Sequence, residues 1–149
     1  MKVVVTGFQP FGKEEMNPSF EAVRLLPDEI CGAQIVKEEI PVVFRKGGKT
    51  VHEIVRRENP DIVILVGQAG GRTSMNVERV AINCEDCPSG FPDNEGNAPQ
   101  SETIYEDLMN AEGMLKYDNV NKNNINSGNP KETNDKPAKR GSGVICLTG

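Results

Sequence analysis

Residues 61–72 read DIVILVGQAGGR, and residues 78–83 read ERVAIN. The first six residues after the Asn59-Pro60 break have no polar residue beyond Asp61. A continuous apolar run of this length, bounded by turn signals, reads as a strand buried on both faces of a parallel sheet. The glycines of GQAGGR then turn the chain, and a second extended stretch over 75–82 carries Glu78 on the same face as Asn76, Val80 and Ile82. A strand, a glycine-rich turn and an acid in the next strand place chemistry at strand ends, where open α/β sheets bind ligands. Function has to be argued from that site and not from the fold.

Working outward, residues 2–5 (KVVV) form a short apolar run closed by Thr6-Gly7 and read as another buried strand. The loop GFQPFGKEEMNPS follows. Ser19 is placed to cap an amphipathic helix with Phe20, Val23, Leu25 and Leu26 apolar and Glu21 in its first turn; Pro27 ends it. Residues 34–43 read as a strand ending near Pro41. A helix over about 48–58 places Val51, Ile54 and Val55 on one face. The order strand, helix, strand, helix, strand predicts an α/β fold, a three-layer α/β/α arrangement with a mostly parallel sheet and right-handed crossovers. Residues 84–100 are a Pro-, Gly-, Asp- and Asn-rich loop, and 102–109 are compatible with a short helix. From 109 the chain is dominated by Asn, Lys, Gly, Asp and Glu without apolar period. This predicts a low-complexity, disordered tail over 109–149 that ends in the strand-like VICLTG.

The 149 residues suffice for one domain core. A net charge of −5 and the lack of a basic stripe with interleaved aromatics argue against a nucleic-acid surface. No apolar run approaches the roughly 20 residues of a membrane span, and Val3–Val5 is too short for a signal-peptide core, so a cytoplasmic protein is expected. Four cysteines are few for a disulfide scaffold, and free thiols are expected.

Each candidate for chemistry has a plainer reading beside it. Glu78, a carboxylate among apolar neighbours, needs a partner or a shifted pKa; it is either a functional acid or an edge-strand glutamate paired with Lys or Arg. Gln68, at the end of the buried strand, is placed to donate to and accept from an amide-like ligand, or belongs to a tight turn. Phe8 and Phe11 flank Pro10 and either wall an apolar pocket for a small ring or pack the loop. GGKT at 47–50 lacks the earlier glycine of a phosphate-binding loop, with Val43 in its place. Cys84 and Cys87 make one C-x-x-C pair, half a zinc site, and read as incidental thiols. His52 is the only histidine and is expected to face solvent. Cys146 alone has a strongly apolar flank and reads as a buried or frayed thiol.

Five words in register, VTGFQPFG (5–12), NPS (17–19), GQAGGR (67–72), ERVAIN (78–83) and PDNEG (92–96), resemble pyroglutamyl peptidase I over about residues 1–108. The resemblance implies a cytosolic cysteine peptidase of α/β/α fold, often tetrameric, without cofactor or metal, acting on peptides with an N-terminal pyroglutamate. It implies that Glu78 is the first member of a Glu-Cys-His triad and that Phe8, Phe11 and Gln68 form the lactam pocket. GSGVICL at 141–147 is the local analogue of the family's cysteine segment, which makes Cys146 the candidate nucleophile, although Leu147 stands where the family has Asn. No histidine follows Cys146, and Gly90 stands where many members carry an oxyanion-hole Arg. The expectation is a family member with its C-terminal part missing or divergent, as in a truncated gene product. Hydrolysis would then be impaired, and a non-catalytic binder of lactam ends is the alternative. Loss of later elements is expected to uncover an apolar sheet face.

Overall fold

A computed structural model describes residues 1–78, 80, 82–87, 91–103 and the strand at 143–148. Its elements in chain order are β1 (Lys2–Phe8), α1 (Pro18–Arg24), β2 (Glu29–Ile30), β3 (Ala33–Ile40), α2 (Lys46–Glu58), β4 (Ile62–Gly67), β5 (Asn76–Glu78) and β6 (Gly143–Thr148). They make one six-stranded sheet in the order β2-β3-β1-β4-β6-β5. β1 runs parallel to β3 and β4, and β6 parallel to β4, while β2 and β5 are antiparallel at the two edges.

The alternation along β1 builds the layers. Val3 and Val5 point to one face and pack with Val23 of α1, Ala33 and Ile35. Val4 points to the other and packs with Ile40, Ile54 of α2 and Val63. One helix on each face of a sheet whose inner strands are parallel is the three-layer α/β/α arrangement expected from the element order.

The sheet departs from expectation where cover is thin. β4 is not buried on both faces: Val63 is buried, but Ile62, Ile64, Leu65 and Val66 are half-buried. Ile64 and Val66 line an apolar cavity of about 510 Å³ on the α1 face, with Val3, Val5, Leu26 and Ile35 among others, while Leu65 on the other face lines a second cavity. β5 is shorter than the expected 75–82, and Val80 and Ile82 beyond it are exposed. Of the expected 102–109 helix, Glu102 instead makes an antiparallel bridge to Glu85 and 103 is not helical; 104–109 lie outside the described residues. So does most of the expected disordered tail. Its last segment is not a scrap: 143–148 pair with β4 on one side and β5 on the other, since a Val-Ile-Cys-Leu run supplies the β-prone sequence an inner position needs.

α1 is capped one turn-step earlier than the sequence implied. Asn17, not Ser19, is the N-cap; its Oδ1 accepts from the Ser19 amide at 3.0 Å, with Pro18 at the first helical position. Ser19 is thereby freed for another task, accepting from the Phe8 amide at 2.9 Å. Leu25, expected on the apolar face, is the exposed C-cap residue. Residues 47–50 lie in the first turns of α2 and form no phosphate cradle. Asn59 ends α2 in the left-handed region at φ 46°, where Asn is one of the few tolerated side chains.

Candidate functional site

Of the five sequence-derived site residues, Phe8, Phe11 and Gln68 fall at the carboxyl edge of the parallel strands, and Cys146 and Glu78 lie in the carboxyl half of the ladder. Phe8 ends β1, Gln68 directly follows β4, and Phe11 is in the loop after β1. β5 enters the sheet from that same edge, with Asn76 opposite Thr148 and Glu78 opposite Cys146. Cys146 is also in register with Leu65 of β4. The two residues proposed as acid and nucleophile, 68 positions apart in sequence, are therefore direct partners in the ladder.

Glu78 has the setting of its plainer reading, a glutamate on an edge strand paired with an arginine. Its side chain is 42% exposed, and its Oε1 accepts from Arg72 Nη1 at 2.8 Å. The apolar residues expected to enclose it, Val80 and Ile82, are themselves exposed. The arginine of GQAGGR was not singled out in the sequence; its contact joins the turn motif to the ERVAIN motif. A carboxylate held in place by a guanidinium is able to orient a cationic or hydrogen-bonding partner.

Phe8 lines a mostly apolar cavity of about 380 Å³ together with Val42, Phe44, Val51, Leu65 and Asp93. Phe11 and Gln68 stand at the same edge, but neither they nor Glu78 line this cavity; Phe11 is 37% exposed and Gln68 is exposed. The structure thus brings Phe8 into a pocket and leaves Phe11 and Gln68 out of its lining.

Three residues left without a role by the sequence reading hold this edge together. Asp93 accepts from the Phe44 amide at 2.8 Å, from the Glu95 and Asn97 amides at 2.9 Å each, and from Asn97 Nδ2 at 2.9 Å. Burial pushes the Asp93 carboxyl up, but the bonds from the Asn97 side chain and these amides outweigh it and hold the pKa at about 2. Asn94 donates through Nδ2 to the Pro10 carbonyl at 2.9 Å, and its amide donates to the Val42 carbonyl at 3.0 Å. Asn17 donates through Nδ2 to the Gln9 carbonyl at 3.0 Å. The signal was present, since Asp and Asn in a Gly- and Pro-rich stretch close turns with their side chains, but it gives no partner at long range.

The other candidates stay apart from this edge. His52 lies in the middle of α2 and is half-buried rather than solvent-facing, because it neighbours the Val51/Ile54/Val55 face. Cys84 and Cys87 belong to the extended segment that bridges Glu102 through Glu85. Cys87 is buried, with Sγ 2.6 Å from the Phe91 carbonyl, and Cys84 is half-buried. Arg45 pairs with the buried Glu85 at 2.6 Å and lies 3.7 Å from Glu102, fixing the 85–102 loop against the start of α2. Among the described residues no group of three or more His, Cys, Asp or Glu is placed to hold a metal ion. None of their helices is long and apolar enough to cross a membrane.

Fold and site together define an open-sheet α/β protein with its candidate site at the carboxyl ends of the parallel strands. The chain belongs to the pyroglutamyl peptidase family, whose model matches residues 1–126, further than the 108 residues that carry the motifs. It is 58% identical over 111 residues to a pyrrolidone-carboxylate peptidase of Thermosipho africanus, a match covering 74% of this chain and 53% of that one. The pyroglutamyl peptidase I structure from Bacillus amyloliquefaciens superposes with a TM-score of 0.64 at 49% identity, over 70% of this chain and 50% of that chain. A point mutant of the Pyrococcus furiosus pyrrolidone carboxyl peptidase superposes with a TM-score of 0.68 at 30% identity, over 98% of this chain and 80% of that chain. The chain spans about half the length of the curated relatives it matches.

Proposed function

We propose that the carboxyl edge of this sheet recognises N-terminal pyroglutamate, and that the chemistry it serves is cysteine-dependent removal of that residue. The observation that carries the reading is the register of Glu78 opposite Cys146, beside the Phe8 cavity. A lactam ring is flat and mostly apolar, with one amide edge. The Phe8 and Phe11 rings suit its faces, and Gln68 suits its edge. In the reaction, the Cys146 thiolate would attack the pyroglutamyl carbonyl. An imidazole would take the thiol proton and deliver it to the leaving amine, and water would then release pyroglutamate from the thioester. Glu78 would hold that imidazole and stabilise its charged form.

The imidazole is the weak link in this 149-residue chain. Its one histidine, His52, is on α2, whose Ile54 packs against Val4 and Val63, while Glu78 is on the edge strand two places beyond β4. A thiol of ordinary pKa, ~8.5, is poorly ionised at neutral pH. Loss of base activation costs a factor of at least ~10². The expected outcome is therefore binding of pyroglutamyl ends with negligible turnover. Incubation of the pure chain with a chromogenic pyroglutamyl amide tests it; turnover abolished by Glu78→Ala would overturn the impairment. Binding without cleavage is read by calorimetric titration with free pyroglutamate. An absence of heat at millimolar ligand, in a sample shown to be folded, rejects the recognition reading.

A further inference from the structure

The loop that follows Phe8 and carries Phe11 is gripped from two sides. Consecutive carbonyls, Gln9 and Pro10, accept from the side-chain amides of Asn17 and Asn94, at 3.0 and 2.9 Å. The two donors come from the NPS and PDNEG words, 77 residues apart. Phe8 and Gln9 are pinned through their own amides as well, to Ser19 Oγ at 2.9 Å and to the Ile40 carbonyl at 2.9 Å. Residues 42–44, which line the Phe8 cavity, are held by the same turn. The Asn94 amide bonds the Val42 carbonyl and the Asp93 carboxylate accepts from the Phe44 amide. One turn therefore holds both the loop that follows Phe8 and the 42–44 segment of the same cavity, with Asp93 itself in the lining.

We infer that Asn94 and Asp93 are positioning residues of the lactam pocket: they set the spacing between the aromatic loop and the 42–44 segment, Asn94 from outside the lining and Asp93 from within it. Asn17 does the same from the helix side but is also the N-cap of α1, so its loss confounds folding with positioning. Asn94 is exposed and caps no helix, which makes it the clean probe. The inference rests on the pocket reading above for its functional meaning, while its structural content is separable from it.

The experiment uses the full chain, Asn94→Ala and the near-isosteric Asn94→Asp, which keeps the size and removes the amide donor. Three quantities are read: amide hydrogen exchange of residues 8–12, the affinity for free pyroglutamate, and Tm. Both variants are expected to speed exchange at the Gln9 amide and to weaken pyroglutamate by about five-fold, the equivalent of one ordinary hydrogen bond, with Tm shifted by no more than about 2 °C. Unchanged exchange across residues 8–12 overturns the inference, whether or not affinity changes. So does wild-type behaviour in Asn94→Asp. If the unaltered chain shows no affinity for pyroglutamate, the pocket reading falls by itself, and the exchange result still decides whether Asn94 positions the loop.

Discussion

At the scale of single residues, Gly7 shows how a motif letter becomes a steric requirement. A Cβ built on Gly7 would stand 2.4 Å from the Phe20 Cα and 2.5 Å from the Phe20 nitrogen, so α1 crosses β1 in backbone contact at this point. Backbone atoms cannot swing aside as a flexible side chain does. Gly7→Ala must therefore push α1 off the sheet or break β1. It is expected to destabilise the fold by about 3 kcal/mol, the upper end of ordinary overpacking. Urea unfolding of the two proteins measures it, and a loss below about 1 kcal/mol would show that α1 slides without cost. The same crossing explains why Ser19 is in reach of the Phe8 amide. The sequence revealed that a glycine ended the apolar run, and it revealed Phe8, Phe11, Gln68 and Glu78 as chemically capable. It concealed which partner each would find. Arg72 lies six residues from Glu78 and Asn94 lies 84 residues from Pro10, and no periodicity reports either contact.

At the scale of elements, legibility follows how local the cause is. Strands β1, β3 and β4 and helix α2 were readable because their apolar period is written in consecutive residues. The start of α1 was misread because Pro18 fits the first helical position and lets Asn17 cap ahead of it. β6 was undervalued because a six-residue run after a low-complexity stretch carries no sign of which strands it will join. The 93–97 turn was legible as a turn but not as a clamp. Its pH behaviour follows from the Asp93 carboxyl, held at about 2 against an ordinary value of 3.8. The folded-state pKa is depressed, so the bonds to the ionised form contribute stability that is fully present above about pH 4. That contribution is lost as pH falls through about 2. Stability measured between pH 4 and pH 2 is expected to fall less steeply in Asp93→Asn than in the unaltered chain. Parallel pH slopes for the two proteins would show that the turn does not carry this linkage.

At the scale of the whole molecule, the described residues cover the two faces of the sheet with helices of unequal length. α2 spans thirteen residues and packs Ile54, Val51 and Val55 onto its face. α1 spans only seven, and beside it the cavity of about 510 Å³ opens between Leu26, Ile30, Ile64, Val66 and Met75. These side chains are apolar, and Met75 is 67% exposed. Contiguous apolar surface of this kind is unusual on a stable monomer and favours self-association or dye binding. Among the described residues, the lining of this cavity lies on the α1 face of the sheet. Two consequences are measurable on the pure chain. A hydrophobic dye such as ANS should fluoresce strongly with the native protein. The sedimentation coefficient should rise with protein concentration. Ile30→Lys places a charge at the rim, where Ile30 is 39% exposed, and should weaken both effects while leaving the far-UV dichroism unchanged. The α1 face is the origin of the association only if the charge acts there. Concentration dependence that survives Ile30→Lys, together with its loss on placing a lysine at Val77 of the edge strand β5, would move the sticky surface to the sheet edge.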